Sequence, residues 1–417
     1  MDFTHPTYLQ LFLTISLPIM GLAYALVGGL KLSLVDRLQL DEGKVGRLVG
    51  GFGTMFGPTI LLCGFLTDAM GRKGVWLAGS AAVVGSILIF AGTRSFRGAL
   101  VAVLLLGIGW AAQVNVGNVL MRVAVPANRP REELVWAANF FDFVFGFGAF
   151  VTPMLLGGIL KKVGYSKGLV LLGVVAALPV ILGLFAEMNP TPVAAPAVAE
   201  AAASAPAVAT PSGAMTMLSS PLFWVLGFAF LFFVPLETSV AGWATTLVLR
   251  QTPRDVPEEQ GKRFASLTLS AFWLGFMGSR LIVSILGARG TLTHWLGKSN
   301  EQALLVGAAL VCVALMLCLA LLRGRKLTAA LVLLAGMACG PVFPTMMAVV
   351  LLSVPADAMG RAVGMFFFFA SVGWTVVPML IGLVARKTDI QKGFLVAAGS
   401  GAVFLALILL RGAMTSH

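Results

Sequence analysis

The chain has 417 residues, 59% of them hydrophobic and 11% charged, with a formal net charge of +12. A soluble domain typically carries about 25% charged residues, so the composition excludes a water-soluble globule. The basic residues are scattered through short loops, which sets aside nucleic acid as the partner of so basic a chain.

Met1 to Gln10 lacks the basic segment of a secretory signal, so the first apolar run reads as the first membrane span. Apolar runs separated by short charged or Gly/Pro-rich loops give six spans, at 7–31, 45–69, 74–93, 99–122, 133–160 and 168–187. Residues 189–217 then form a Pro/Ala-rich stretch, with prolines at 190, 192, 196, 206 and 211 that bar a continuous helix. Six more spans follow at 219–249, 264–287, 301–322, 327–352, 360–385 and 391–411. The expected fold is an all-α polytopic membrane protein with twelve transmembrane helices in two six-helix bundles, 1–188 and 218–417, joined by the 189–217 linker.

Cys63, Cys312, Cys318 and Cys339 lie inside apolar runs with no His beside them, so they read as buried hydrophobes, and no metal or cofactor is expected. No P-loop or Ser/His/Asp cluster appears, which argues against an enzyme or an ATP-driven pump.

Polar groups inside spans are expensive and each needs a reason. Asp142 falls near the midplane of the fifth span. Glu237 lies late in the seventh, just after Pro235, where a bend is easy. Gln113, Asn115 and Asn118 sit on the fourth span and Asn139 on the fifth. Amides both donate and accept, which suits hydroxyl-bearing solutes, but they also serve as glue between helices. Trp243 and Trp374 are the aromatic candidates for stacking on a solute. These eight residues form the expected substrate site, with Asp142 and Glu237 as proton-coupling candidates. No basic side chain is expected at mid-depth: Arg280 is assigned with Arg72, Lys73, Arg122 and Arg361 to one set of loops and helix ends.

The loop after the second span reads Gly64-Phe65-Leu66-Thr67-Asp68-Ala69-Met70-Gly71-Arg72-Lys73. Gly64 allows close helix packing, Gly71 a tight turn, and Asp68 can sit at the positive end of a helix from the other half, with Arg72 nearby. Gly64, Asp68, Gly71, Arg72 and Lys73 are therefore read as a conformational latch. The loop resembles the G-x-x-x-D-x-x-G-R-K signature of the major facilitator superfamily.

Further segments resemble the fucose permease branch. They are Asn139 to Pro153 with Asp142, Gly146 and Gly148; Glu237 to Trp243; Ala271 to Gly275 followed by Gly278 and Arg280; Gly340 to Thr345; and Gly360 to Gly364. That resemblance implies a sugar:proton symporter working by alternating access. It also exposes a departure. The branch has acidic residues in its first and fourth helices, where this chain has Leu26-Val27-Gly28-Gly29 and the amides of Gln113, Asn115 and Asn118.

The expected function is secondary transport of a small polar solute, a sugar or sugar-like polyol, driven by protons or running as a uniporter. Two alternatives stand beside it: a carrier of organic anions or amphipathic solutes, and a non-transporting sensor on a transporter fold. The expected partners are the solute, protons and the lipid bilayer, and the expected state is a monomer. The expected place is a bacterial inner membrane or plasma membrane, with both termini cytoplasmic. That orientation rests on the motif, because it leaves most Lys and Arg on the outer loops, against the positive-inside rule.

Overall fold

The computed structural model describes residues 7–40, 42–126, 129–188, 213–297 and 300–415. Twelve helices among them are long and apolar enough to cross a membrane. In chain order they are α1 (Tyr8–Leu38), α2 (Glu42–Met70), α3 (Arg72–Gly92), α4 (Phe96–Ala124), α5 (Arg131–Val163) and α6 (Tyr165–Phe185, interrupted at Ala177). The second set is α7 (Pro221–Arg250), α8 (Glu258–Ala288), α9 (Asn300–Leu321), α10 (Arg325–Ser353, interrupted at Gly340 and Pro341), α11 (Met359–Lys387) and α12 (Ile390–Thr415). Hydropathy locates all twelve but stops short where a helix runs on into polar sequence. Thus α1 continues through Asp36 and Arg37, and α8 starts at Glu258 rather than 264. Such ends keep their backbone bonds in water, where apolar patterning carries no signal.

Local chemistry fixes several ends. Thr7 and Gln10 make a capping box at the start of α1, with bonds of 3.1 and 3.3 Å. Ser95 caps α4 through the Gly98 N–H at 3.2 Å. Gly71, at φ +89°, makes the one-residue turn between α2 and α3. Of the expected linker, 189–212 lies outside the described residues. Its last part is helical, Gly213–Ser219, and is tied down by the Gly213 N–H on Asp357 Oδ2 (3.1 Å) and by Trp224 Nε1 on the Leu218 carbonyl (2.8 Å).

Packing repeats between the halves. Within the first, α1 lies on α5, α2 on α4 and α3 on α4; within the second, α7 lies on α11, α8 on α10 and α9 on α10. The two bundles meet mainly through α2 with α11 and α5 with α8. These two seams are equivalent under the same repeat.

Candidate functional site

The halves touch along only part of each seam. On α2 and α11 the contacts run from Asp68 beside Gly360 and Arg361, through Gly64 beside Gly360 and Ile60 beside Gly364, to Gly57 beside Ser371. One turn further Gly53 is exposed and faces nothing, and Trp374 is 43% exposed. On α5 and α8 they run from Trp136 beside Gly287 to Gly146 beside Met277, and beyond them Phe147 and Met154 are exposed. The protein is therefore shut at the Asp68 end and parted at the opposite end.

Three charged side chains stand where the contacts stop. Asp142 of α5 and Arg280 of α8 are both buried and lie 3.1 Å apart, in a contact whose angle falls short of a hydrogen bond. Arg280 also donates through Nε to the Gly340 carbonyl at 2.8 Å and lies 4.0 Å over the Phe276 ring. That carbonyl is free because the residue four positions on is Pro344, which has no N–H to donate to it. Asp142 is about 16 Å along α5 from Arg131 at 1.5 Å per residue, near the middle of a roughly 30 Å hydrocarbon layer. Glu237 of α7 is half-buried and within electrostatic reach of Arg280, Asp142 and Tyr24. The sequence expectation of no basic group at mid-depth is thus corrected. Arg280 belongs to the membrane interior because a carboxylate 138 positions earlier neutralises it.

Aromatic rings wall this centre. Trp110 of α4 lies 5.0 Å from Tyr24, 4.8 Å from Phe56, 5.3 Å from Phe52 and 6.4 Å from Phe145, measured between ring centres. Phe56 continues the wall to Phe367 of α11 at 5.8 Å. Trp110 is buried, and its Nε1 has no hydrogen-bond partner.

The expected site residues divide into groups. Asp142 pairs with Arg280, and Glu237 lies within electrostatic reach of both. Asn115 and Asn139 instead cross the seams: Asn115 Nδ2 donates to the Gly360 carbonyl of α11 at 2.9 Å, and Asn139 Nδ2 to Thr345 Oγ1 of α10 at 3.2 Å. Gln113 bonds Ser80 on α3 at 2.9 Å, and Asn118 bonds the Val114 carbonyl of its own helix at 2.8 Å, both inside the first bundle. Trp243 packs beside Gly382 of α11, and Trp374 is exposed beyond the last contact of its seam.

Of the expected latch residues, Asp68 and Gly64 meet the first turn of α11 directly. Asp68 accepts from the Gly360 N–H (2.8 Å), the Arg361 N–H (2.8 Å) and Arg361 Nε (2.9 Å). This is a carboxylate on the first turn of α11, where the helix dipole is positive. A Cβ on Gly64 would meet the Gly360 carbonyl at 2.6 Å, so only glycine fits there. Arg72 Nη1 donates to the Met188 carbonyl at 3.1 Å and Lys73 Nζ to the Leu184 carbonyl at 2.6 Å, at the end of α6, and Arg72 also lies within electrostatic reach of Asp68. Arg361 is in direct contact with Asp68, at 2.9 Å.

Sequence reading passed over Arg280, Trp110 and Tyr24. Arg280 carried a signal, standing within the apolar run Phe276 to Ile285. Tyr24 is one of only 3 tyrosines, and it falls inside the first span.

A family model described as Major Facilitator Superfamily matches residues 12–378. No curated protein matches the chain. Among solved structures, a major facilitator transporter, FucP, in the outward conformation superposes with a TM-score of 0.76 at 16% identity, covering 96% of this chain and 98% of that one. A variant of the E. coli fucose:proton symporter FucP gives 0.75 at 16% identity, with coverage of 96% and 98%. The human organic anion transporter MFSD10 gives 0.73 at 16% identity, with coverage of 96% and 99%.

Proposed function

Because the chain belongs to the major facilitator superfamily, we propose that it is a secondary carrier of a small polar solute, a sugar or sugar-like polyol, working by alternating access. The observation that carries this reading is the half-buried Glu237 within electrostatic reach of the Arg280–Asp142 pair and of the wall of Tyr24, Trp110 and Phe145. A ring face suits the C–H face of a sugar, and a carboxylate accepts from its hydroxyls. Arg280 is spent on Asp142 and Gly340, so the centre holds two carboxylates against one guanidinium. That balance favours a neutral solute accompanied by a proton. Glu237 is the carboxylate left for both.

The likeness to the two FucP structures supports this choice. The Asp68 end is taken as cytoplasmic, with the solute entering at the parted end. The test is thermal stabilisation of the purified protein with a sugar panel and an organic-anion panel, followed by counterflow in liposomes. Stabilisation by organic anions alone would overturn the sugar reading. That second reading has its own support in the mid-depth Arg280 and in the likeness to MFSD10.

Glu237→Gln should cut uptake driven by an inward proton gradient about tenfold or more, a loss of roughly 1.4 kcal/mol or greater, while solute exchange without a gradient continues. Gradient-driven uptake at the native rate would remove Glu237 from the coupling scheme.

A further inference from the structure

The peptide group of Gly360 is held from both sides. Its N–H goes to Asp68 of α2 and its carbonyl takes the Asn115 amide of α4 at 2.9 Å. Both grips come from the first bundle and close on the first turn of α11 in the second. Asn115 is fully buried, and its Oδ1 has no hydrogen-bond partner, so the side chain spends its donor on this one contact. Gly360 fits because it lacks a side chain: a Cβ there would meet Asp68 Oδ1 at 2.6 Å and the Gly64 carbonyl at 2.7 Å. The equivalent contact on the other seam is also an amide, from Asn139 of α5 to Thr345 of α10.

We propose that Asn115 is the second jaw of the Asp68 clamp, a positioning residue rather than a solute ligand, and that its neutral amide makes this jaw indifferent to pH. This goes beyond the solute reading and does not rest on it. An amide N–H donates to the Gly360 carbonyl at any pH. A carboxyl in the same place could donate only while protonated; ionised, it would set two acceptors against each other in a buried site, a costly arrangement. The charged groups at this end of the elements packed on α4 are Asp68 of α2, Arg72 and Lys73 of α3, Arg131, Glu132 and Glu133 of α5, and Arg361 of α11. Those are unchanged in the variant, so the wild type at each pH is their control.

The sign is fixed by the donor. With Asn115→Asp the closed state is supported at low pH, where the carboxyl is protonated, and loses that support as pH rises. The measurement is hydrogen exchange of the peptide spanning residues 356–366, read by mass spectrometry on the full chain in lipid nanodiscs and referred to wild type at the same pH. Asn115→Asp should match wild type at pH 6 and exchange about tenfold faster at pH 8.5, a difference of roughly 1.4 kcal/mol. Asn115→Ala, which keeps neither donor nor charge, should exchange faster at both. Unchanged exchange in α6 and α12 marks an intact fold. Wild-type protection in Asn115→Ala would overturn the jaw, and equal acceleration of Asn115→Asp at both pH values would overturn its pH logic. Because no solute is needed, the outcome is separate from the identity of the cargo.

Discussion

Arg280→Met is expected to abolish uptake and to destabilise the protein by about 3–5 kcal/mol, the usual cost of stranding one member of a buried ion pair. Asp142 would be left buried at 7% exposure with no cation in contact, and the Gly340 carbonyl would lose its donor. The informative comparison is the double variant Arg280→Met with Asp142→Asn. Removing both charges should recover at least half of the lost stability, because a neutral pair is cheaper to bury than a lone carboxylate. It should not recover uptake, because Glu237 would then stand without Arg280. Thermal unfolding in detergent and uptake into liposomes read the two effects separately. A single variant as stable as wild type would mean that Asp142 finds another partner or sheds its charge without cost.

Asp68→Asn should act on the cycle rather than on the site. The carboxylate accepts three bonds from α11, two of them from backbone N–H groups. Bonds to a charged group are worth about 1.5–3 kcal/mol each net. An amide retains one acceptor and turns an N–H toward a donor. A loss of roughly 2 kcal/mol from the state shut at this end shifts its population about 30-fold. Turnover should fall by a comparable factor while equilibrium solute affinity changes by no more than about threefold. Stopped-flow uptake against ligand-induced thermal shift separates the two quantities, and wild-type turnover would argue that Asp68 only solubilises the loop.

The spans were legible because hydropathy is local: about 20 consecutive residues carry each one. The Asp68 loop was legible for the same reason, its ten residues being contiguous. The charged centre was only half legible. Asp142 and Glu237 announce themselves as acids in apolar runs, but Arg280 looks like a helix end until its partner on α5 is placed beside it. The amides were the hardest. Nothing in the sequence says whether Asn115 donates to a solute or to a carbonyl 245 positions away. The structure separates four similar residues by their partners: Gln113 and Asn118 bond within one bundle, Asn115 and Asn139 across two. Arg72 and Lys73 show the converse limit: the bonds both make to carbonyls at the end of α6 carry no signal in the loop's own pattern, though Arg72 also stays within electrostatic reach of Asp68.

The two seams are equivalent in the fold but fastened at different depths. Asp68 and Arg361 meet at the edge, with side chains 8% and 21% accessible, whereas Asp142 and Arg280 stand at 11% and 6%, so the difference in access lies in the two arginines. Water and dissolved salt can reach the edge bonds through Arg361; the guanidinium of the deep pair has less access to either. Separation from the Asp68 end therefore proceeds as in an airlock, with the outer door unbolted before the inner one can move. For the proposed carrier, the unequal depth of two otherwise matching fastenings gives their release an order, edge before interior.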